Sequence, residues 1–366
     1  MGTRPEVIRL SACIKAFDKY FDHTLAHTGQ NWDYTLNEVF FKEFELRQPD
    51  HYMNAAGTNL GETIGNIISK SYSLLEEIRP DALLILGDTN SALSAIAAKR
   101  LKIPIFHMEA GNRCFDQNLP EEINRKIVDH LADVNLCYTE HARRYLISEG
   151  YRKEHIYVTG SPMTEVIHRS KDRIESSDAL ERLGIEPSGY ILLSAHREEN
   201  LENETTFMSL MEAVNSVAEE YNLPVIYSVH PRSRNIIEKR KFRFHPLVRE
   251  LKPFGFFDYN KLQKNSFCVI SDSGTLPEEA AVLNFPGVVI RTSTERPEAL
   301  DKGVVILGGV KGKDVLQSVA LCRAMWENGE ETTNVTDYTD KNVSTKVVKI
   351  IQSYTHIVNK VVWGRG

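Results

Sequence analysis

The sequence has few cysteines, and they form no motif. The five among its 366 residues lie far apart, at Cys13, Cys114, Cys137, Cys268 and Cys322. No CxxC pair and no HExxH occurs, so the common zinc and dithiol motifs are excluded. An odd, dispersed set of thiols is typical of a reducing compartment. We therefore expect a cytoplasmic protein with no bound metal.

Long apolar runs, excess basic charge and glycine-rich phosphate loops are also absent. No apolar run approaches about 18 residues, so no membrane-spanning segment is expected, and no signal peptide is visible. The formal net charge of −6 disfavours a nucleic-acid binder, which needs a basic surface, but is compatible with a local phosphate site. No GxGxxG follows an early strand and no GxxxxGKS/T occurs, which disfavours a bound nicotinamide. The sequence predicts no cofactor.

The sequence does contain a regular alternation of apolar strands and helices. Its 42% hydrophobic and 26% charged residues are globular values, and its length suits two domains. Continuous apolar strands that alternate with helices predict parallel sheets covered on both faces. The alternation restarts after the turn cluster Thr159-Gly160-Ser161-Pro162. We predict an α/β protein with Rossmann-like domains over 1–164 and 165–342, and a final helix in 343–366 that packs back on the first domain.

The first residues depart from this alternation. Gly2-Thr3-Arg4-Pro5 is typical of a turn, and residues 6–20 are typical of a helix with Val7, Leu10 and Ile14 on one face. A βα unit begins with a strand, and none precedes this turn. We therefore expect the first sheet to lack a strand. A chain extended upstream by ~5–10 residues should melt at a higher temperature, because a strand buries apolar area.

Polar clusters follow the predicted strands in both halves of the chain. They occur at Asp88, Glu109, His196, His230 and 271–273. Open α/β sheets bind ligands at the carboxyl ends of their strands. Every strand must end somewhere, so a single cluster would decide little. Five rich clusters favour ligand binding and predict two sheet edges that face one cleft.

The richest stretch covers 107–125. A strand end delivers Glu109, a loop delivers Arg113, and a helix opened by Pro120 delivers Glu121. Carboxylates near an arginine suit acid–base chemistry on an anionic substrate. A surface loop followed by a solvated helix start is the alternative, and the stretch alone does not decide between the two.

Other candidate residues also have ordinary structural alternatives. Ser273 and Gly274 precede a predicted helix and would suit an anion, or they form part of an ordinary capped helix. Glu279 could accept from a ribose hydroxyl or complement the helix dipole. Arg4 would suit phosphate through its forked guanidinium, and His196 would suit a pyrophosphate. Either could instead be structural.

Six motifs occur in an order that carries a resemblance. They are Gly2-Thr3-Arg4-Pro5-Glu6, Gly87-Asp88-Thr89, His107-Met108-Glu109-Ala110-Gly111, Pro120-Glu121-Glu122-Ile123-Asn124-Arg125, Ser271-Asp272-Ser273-Gly274 with Glu278-Glu279-Ala280, and Thr294-Glu295-Arg296-Pro297-Glu298. The set resembles the non-hydrolysing UDP-N-acetylglucosamine 2-epimerase family over most of the chain. The resemblance implies a glycosyltransferase-B-like fold with a UDP-sugar in an interdomain cleft. It also implies a homodimer that serves bacterial capsule or O-antigen synthesis.

The same resemblance implies a mechanism and a role for each candidate. Anti elimination of UDP gives a 2-acetamidoglycal, and re-addition with protonation on the other face inverts carbon 2. The implied catalytic residues are Asp88, Glu109, Glu121 and His196. The implied substrate and UDP contacts are Arg4, Arg113, Ser273, Gly274, Glu279 and Arg296. Which carboxylate removes the proton stays open.

Two departures from the family pattern refine this expectation. Thr28-Gly29-Gln30-Asn31-Trp32 lacks the Gln-His-Arg-Glu segment of regulated members, so we expect no activation by a second UDP-N-acetylglucosamine. Asn112-Arg113-Cys114-Phe115-Asp116 replaces the usual Leu-Arg-Thr. With residues 194–200, it resembles the branch that converts UDP-2-acetamido-2,6-dideoxy-β-L-talose to UDP-N-acetyl-L-fucosamine. The alternatives are an epimerase that makes UDP-N-acetylmannosamine from UDP-N-acetylglucosamine, a glycosyltransferase of the same fold and a UDP-sugar sensor without turnover.

Overall fold

The chain divides into two compact units. The computed structural model describes residues 1–30, 34–330 and 334–365. Unit 1 comprises Met1–His168 and Asp337–Gly366, and unit 2 comprises Arg169–Thr336. The sequence places the corresponding boundaries after residues 164 and 342.

Strands and helices alternate along both units. The strands are β1 (Ala26–His27), β2 (His51–Tyr52), β3 (Leu83–Leu86), β4 (Ile105–Met108), β5 (Val134–Cys137), β6 (Ile156–Val158), β7 (Ile191–Ser194), β8 (Val225–Ser228), β9 (Val248–Leu251), β10 (Cys268–Ser271), β11 (Gly287–Val289) and β12 (Ile306–Leu307). The helices are α1 (Arg4–Tyr20), α2 (Tyr34–Glu43), α3 (Leu60–Ile78), α4 (Ser94–Arg100), α5 (Pro120–Leu131), α6 (Glu140–Ser148), α7 (Pro162–Arg169), α8 (Lys171–Glu175), α9 (Ala179–Leu183), α10 (Glu198–Leu201), α11 (Glu204–Tyr221), α12 (Pro231–Arg240), α13 (Phe256–Asn265), α14 (Leu276–Leu283), α15 (Pro297–Asp301), α16 (Gly312–Glu327) and α17 (Val343–Val361). None of the helices described is long and apolar enough to cross a lipid bilayer.

Unit 1 contains a four-stranded parallel sheet in the order β3-β4-β5-β6 and a two-stranded parallel sheet of β1 and β2. The central strands β4 and β5 are buried along their whole length, because the sheet is covered on both faces. Leu75, Ile85, Ile105 and Val128 belong to one core cluster of this unit. The C-terminal helix α17 packs against α1.

Unit 1 contains a cavity of about 730 Å³, lined by residues of β1, β3, α1, α3 and α17. Its lining includes Leu83–Leu86 of β3 and Thr24–Ala26, the segment that leads into β1. The Met1 amino group donates to the Ala26 carbonyl at 3.1 Å, and the Thr28 N–H donates to the Met1 carbonyl at 2.8 Å. The backbone of Met1 thus makes two hydrogen bonds with β1 and the residue that follows it, in the pattern of paired parallel strands. Among the residues described, no strand joins the β1–β2 sheet to β3.

Unit 2 contains one six-stranded parallel sheet in the order β12-β11-β10-β7-β8-β9. The chain runs outward from β7 through β8 to β9, returns to β10 beside β7, and then continues outward to β12. This reversal is a topological switch point, where open α/β sheets bind ligands. Ser194 pairs with Ser271 in the register of β7 and β10, so both strands end at the switch point.

The first residues of the helices were predicted more accurately from the sequence than the strands at the sheet edges. α5 begins at Pro120, with Glu121 and Glu122 in its first turn. α14 begins at Leu276 with a proline in its first positions. β2 and β9 were not predicted from the sequence. β9 contains two exposed charged residues, so its four residues show no continuous apolar run.

Candidate active site

A buried carboxylate, Glu6, organises the first turn of the chain. Only 2% of the residue is exposed. Its Oε2 accepts hydrogen bonds from Gly2 N at 3.0 Å, Thr3 Oγ1 at 2.8 Å and Thr89 Oγ1 at 3.1 Å. Glu6 therefore ties the turn before α1 to the loop after β3, which carries Asp88.

Helix α1 contributes two arginines to unit 1. The half-buried Arg4 is its first residue, and its guanidinium lies 5.7 Å from the ring centroid of Phe40. Arg9 donates from Nη1 to Oε2 of Glu109. Arg9 was not predicted from the sequence, because its partner lies 100 residues further along the chain. An ion pair between residues so far apart produces no recognisable spacing in the sequence.

Glu109 directly follows β4 in a left-handed backbone conformation. Its φ is +66° and only 4% of the residue is exposed. Its Oε1 accepts from Asn112 Nδ2 at 3.3 Å. A Cβ added to Gly87 would lie 3.1 Å from Glu109 Oε2, so the carboxylate lies over the residue that precedes Asp88. Such strained conformations at non-glycine residues cluster at functional sites.

Arg125 connects Asp88 to the start of α5. Its Nε donates to Asp88 Oδ2 at 2.7 Å, and its Nη1 donates to Glu122 Oε2 at 3.0 Å. Glu122 is fully buried and also accepts from the Cys114 N–H at 3.2 Å. Glu121, which the sequence predicts as a catalytic acid, is exposed in the first helical turn. The two neighbouring acids therefore differ in exposure: Glu122 is buried within unit 1, and Glu121 is exposed to solvent.

Arg113, which the family resemblance implies as a substrate contact, lies inside a buried charge network. Its Nε and Nη2 donate to the Glu149 carboxylate at 2.8 and 2.7 Å, and its Nη1 donates to Asp129 Oδ2 at 2.7 Å. Its side chain is 0% exposed. Burial opposes the charge, but Glu149 and Asp129 outweigh that effect and raise the pKa of Arg113. These partners hold the guanidinium within the fold.

In unit 2, Asp272 organises the loop that follows β7. The fully buried carboxylate lies directly after β10. Its Oδ2 accepts from the backbone N–H groups of His196 and Arg197 at 2.9 Å each, and from Asn200 Nδ2 at 3.1 Å. His196 Nδ1 lies 3.3 Å from Oδ1, and the histidine side chain remains 33% exposed. The switch point thus presents a partly exposed imidazole on a fixed backbone.

Gly274 lies where a side chain would collide with its surroundings. A Cβ there would lie 2.5 Å from Glu295 Oε1 and 3.3 Å from Arg197 Nη2. The Glu295 carboxylate accepts from Arg197 Nη2 at 3.2 Å and from Arg291 Nη1 at 2.7 Å. Ser273 precedes the glycine and is half-buried. The positive dipole end of α14 therefore lies near the guanidinium of Arg197, an arrangement that suits an anion.

Two further candidates of unit 2 have protein partners. Glu279 is 6% exposed, and its Oε2 accepts from Gln263 Nε2 at 2.5 Å. Arg296 is 2% exposed and donates from Nε to Glu278 Oε1 at 2.8 Å. This buried pair joins α14 to the start of α15, and the expected contact of Arg296 with the ligand stays a prediction.

The acids at the strand ends were predicted from the sequence, but not all of their partners were. Arg9 and the double role of Glu295 were missed. Of the segment 28–32, on which the expectation about activation rests, Asn31 and Trp32 lie outside the described residues. Within the described part of the chain, no group of three or more His, Cys, Asp or Glu side chains is arranged to hold a metal ion.

The fold and these polar strand ends define an α/β protein of the glycosyltransferase-B-like class. The family model described as UDP-N-acetylglucosamine 2-epimerase matches residues 15–352. The chain therefore belongs to the UDP-N-acetylglucosamine 2-epimerase family and is a UDP-sugar 2-epimerase, an isomerase.

Relatives of known sequence and structure agree with this assignment. The chain is 32% identical over 340 residues to the UDP-N-acetylglucosamine 2-epimerase of Methanocaldococcus jannaschii, covering 90% of this chain and 93% of that one. It is 30% identical over 338 residues to the UDP-2,3-diacetamido-2,3-dideoxy-D-glucuronate 2-epimerase of Pseudomonas aeruginosa, with the same 90% and 93% coverage. The UDP-N-acetylglucosamine 2-epimerase structure from Rickettsia bellii has a TM-score of 0.91 at 46% identity and covers 100% of this chain and 98% of that one. The M. jannaschii enzyme in complex with UDP-GlcNAc and UDP has a TM-score of 0.90 at 30% identity, covering 96% and 98%.

Proposed function

We propose that this protein inverts carbon 2 of a UDP-2-acetamido sugar by elimination and re-addition of UDP. The proton on carbon 2 is weakly acidic, so its removal is coupled to departure of UDP from carbon 1. Anti elimination breaks the C2–H and C1–O bonds and gives UDP and a 2-acetamidoglycal. Protonation of carbon 2 on the opposite face and re-formation of the C1–O bond complete the inversion. Carbon 2 is deprotonated and reprotonated with no net oxidation or reduction.

The arrangement of acids after β3 and β4 carries this proposal. Asp88 and Glu109 each pair with an arginine, Arg125 and Arg9 respectively. Inversion needs one group to remove a proton from one face of the sugar and another to deliver a proton to the other face. Glu121, exposed in the first turn of α5, supplies a third carboxylate. In our proposal these three carboxylates share the proton transfers.

The departing UDP needs groups that stabilise negative charge. We assign that role to Arg4, to His196 at the switch point, and to Ser273 and Gly274 at the N-terminus of α14. Backbone N–H groups at a helix start stabilise a pyrophosphate through hydrogen bonds and through the helix dipole. Glu279, in the first turn of α14, would accept from a ribose hydroxyl.

Proton exchange with solvent tests this chemistry. Incubation of the enzyme with candidate UDP-2-acetamido sugars in heavy water, followed by NMR, should place deuterium at carbon 2 of both epimers. A glycosyltransferase would instead need an acceptor and would leave carbon 2 protonated, and a sensor would bind without any change. Absence of deuterium for every substrate would exclude epimerisation.

For the substrate, we propose a preference for UDP-2-acetamido-2,6-dideoxy-β-L-talose over UDP-N-acetylglucosamine. Phe115, in the segment that departs from the family pattern, is 65% exposed and packs edge-on against Tyr145 at 5.3 Å between centroids. An exposed aromatic ring suits the methyl group of a 6-deoxy sugar. A site that hydrogen-bonds a hydroxyl rejects the analogue without it, so one pocket should not serve both sugars equally. The alternative substrate is UDP-N-acetylglucosamine, for which the relatives from Methanocaldococcus jannaschii and Rickettsia bellii are named.

Comparison of kcat/KM for the two sugars decides the preference. We expect efficient turnover of the L-talo sugar and little of UDP-N-acetylglucosamine. Phe115→Ala should reduce kcat/KM about tenfold for the L-talo sugar, the usual effect of a lost methyl contact, and leave the value for UDP-N-acetylglucosamine nearly unchanged. A clear wild-type preference for UDP-N-acetylglucosamine would contradict the substrate proposal without touching the epimerase chemistry.

A further inference from the structure

His107 is a fully buried histidine with an acceptor on each side of its ring. It lies within β4, two residues before Glu109, and is 0% exposed. Its Nε2 lies 2.9 Å from the Gly87 carbonyl oxygen, and its Nδ1 lies 2.9 Å from Asp129 Oδ1. These two contacts join β4 to the end of β3 and to α5.

Hydrogen-bond chemistry fixes the protonation of this ring. A carbonyl oxygen can only accept, so Nε2 must carry a hydrogen to bond Gly87. The Asp129 carboxylate accepts from Arg113 Nη1 at 2.7 Å and from the Gly111 N–H at 3.2 Å. These donors favour the ionised carboxylate. With an ionised acceptor on that side, Nδ1 also carries a hydrogen.

The network holds both strand-end loops that carry acids. Gly87 directly precedes Asp88, and Gly111 follows Glu109 by two residues. Glu109 has a φ of +66°, a strained left-handed conformation for a residue with a side chain, whereas Gly87, with a φ of +72°, adopts it without strain. The His107 bond to Gly87 O supports one loop, and the Asp129 bond to Gly111 N supports the other.

We propose that His107, as a doubly protonated imidazole between Gly87 and Asp129, is a positioning residue that sets the separation of Asp88 and Glu109 for epimerisation. This inference rests on the proposed function. His107 touches no reacting atom in this role. It acts through the two loops, and a misplacement of about 1 Å in such groups can lower turnover about 10²-fold.

Two amide variants separate the two hydrogen bonds of the ring. The side-chain nitrogen of asparagine lies as far from Cβ as Nδ1 does, so His107→Asn retains a donor towards Asp129 and loses the one towards Gly87. The nitrogen of glutamine corresponds to Nε2, so His107→Gln retains the donor towards Gly87. We expect His107→Asn to lower kcat about 10²-fold, and His107→Gln to recover at least about tenfold of that loss. UDP affinity should stay within about threefold in both variants.

A matched control comes from another histidine of unit 1. The half-buried His155 places Nδ1 2.8 Å from the Asp133 carbonyl oxygen and lies outside the candidate site. His155→Gln should lower the melting temperature but leave kcat per UDP-binding site unchanged. Turnover is measured well below the melting temperature and divided by the concentration of UDP-binding sites. A variant that only loses folded protein then shows an unchanged kcat.

The outcomes separate this inference from the proposed function. Wild-type enzyme without deuterium exchange at carbon 2 would contradict the function itself. Active wild type with kcat retained in His107→Asn, or with equal losses in both amide variants, would overturn the positioning role. ¹⁵N NMR of histidine-labelled protein gives an independent readout. Two N–H couplings from His107 are expected, and a single coupling would contradict the doubly protonated ring.

Discussion

Substitution of Gly274 by alanine gives a sharp test of the anion site in unit 2. The new Cβ would lie 2.5 Å from Glu295 Oε1, a distance that real Cβ atoms essentially never show. Glu295 is 5% exposed and bonded to Arg197 and Arg291, so its carboxylate has little room to move alone. Relief of the collision must therefore displace an ion pair next to the N-terminus of α14.

The expected magnitude follows from overpacking and from the disturbed contacts. Overpacking of a filled region costs about 1–3 kcal/mol. If displacement of Arg197 makes the free energy of UDP binding less favourable by about 1.4 kcal/mol, the Kd for UDP rises about tenfold. The free energy of unfolding should fall by a comparable amount, about 1–3 kcal/mol.

Calorimetric titration with UDP measures this effect, and a second glycine of unit 2 provides the control. A Cβ on Gly312, at the start of α16, would meet Ala213 at an ordinary 3.7 Å. Gly312→Ala should therefore bind UDP within about twofold of wild type. The reasoning is refuted if Gly274→Ala also binds UDP within that limit, because the glycine would then have no part in anion binding.

Three further predictions concern unit 1. Glu121→Gln should reduce turnover about 10²-fold or more with UDP affinity nearly unchanged, as single-turnover kinetics and titration can show; near-normal turnover would remove Glu121 from the mechanism. Arg9→Met removes the guanidinium bonded to Glu109 and should lower kcat at least about tenfold at constant UDP affinity; an unchanged kcat would show that this pair is dispensable. Burial, with a smaller effect of the Met1 amino group, lowers the pKa of His27 from 6.5 to about 4. Between these two pH values, His27 therefore takes up a proton in the unfolded chain but not in the folded chain. The free energy of unfolding should fall by about 1.4 kcal/mol per pH unit from pH 6.5 towards 4, and urea titrations should show His27→Gln losing that slope.

The sequence predicted those parts of the fold that depend on local pattern. Continuous apolar runs identify buried parallel strands such as β4 and β5, and the proline at 120 marks the start of α5. β9 escaped prediction because an edge strand with charged side chains has no apolar run. The polar residues after the strands were predicted for the same local reason, since Asp88 and Glu109 directly follow apolar segments.

Side-chain partners depended on contacts distant in sequence and could not be predicted. Arg113 was expected to face an anionic substrate because acids lie near it in the sequence. In the structure it pairs with Asp129 and Glu149, 16 and 36 residues away. Arg125 likewise lies four residues after Glu121, and in the structure it donates to Glu122 and Asp88. Helical periodicity shows which residues share a face, but it does not show which carboxylate the protein core surrounds.

Cleavage of the C1–O bond is the step on which the proposed mechanism depends. The measurement is positional isotope exchange in a substrate that carries ¹⁸O between carbon 1 and the β-phosphorus. If UDP leaves and re-adds, the labelled oxygen becomes equivalent to the other terminal oxygens of the β-phosphate, and ³¹P NMR should show ¹⁸O moving into non-bridging positions in recovered substrate and product. Epimerisation with the label kept entirely in the bridge would contradict elimination and require inversion of carbon 2 with the C1–O bond intact.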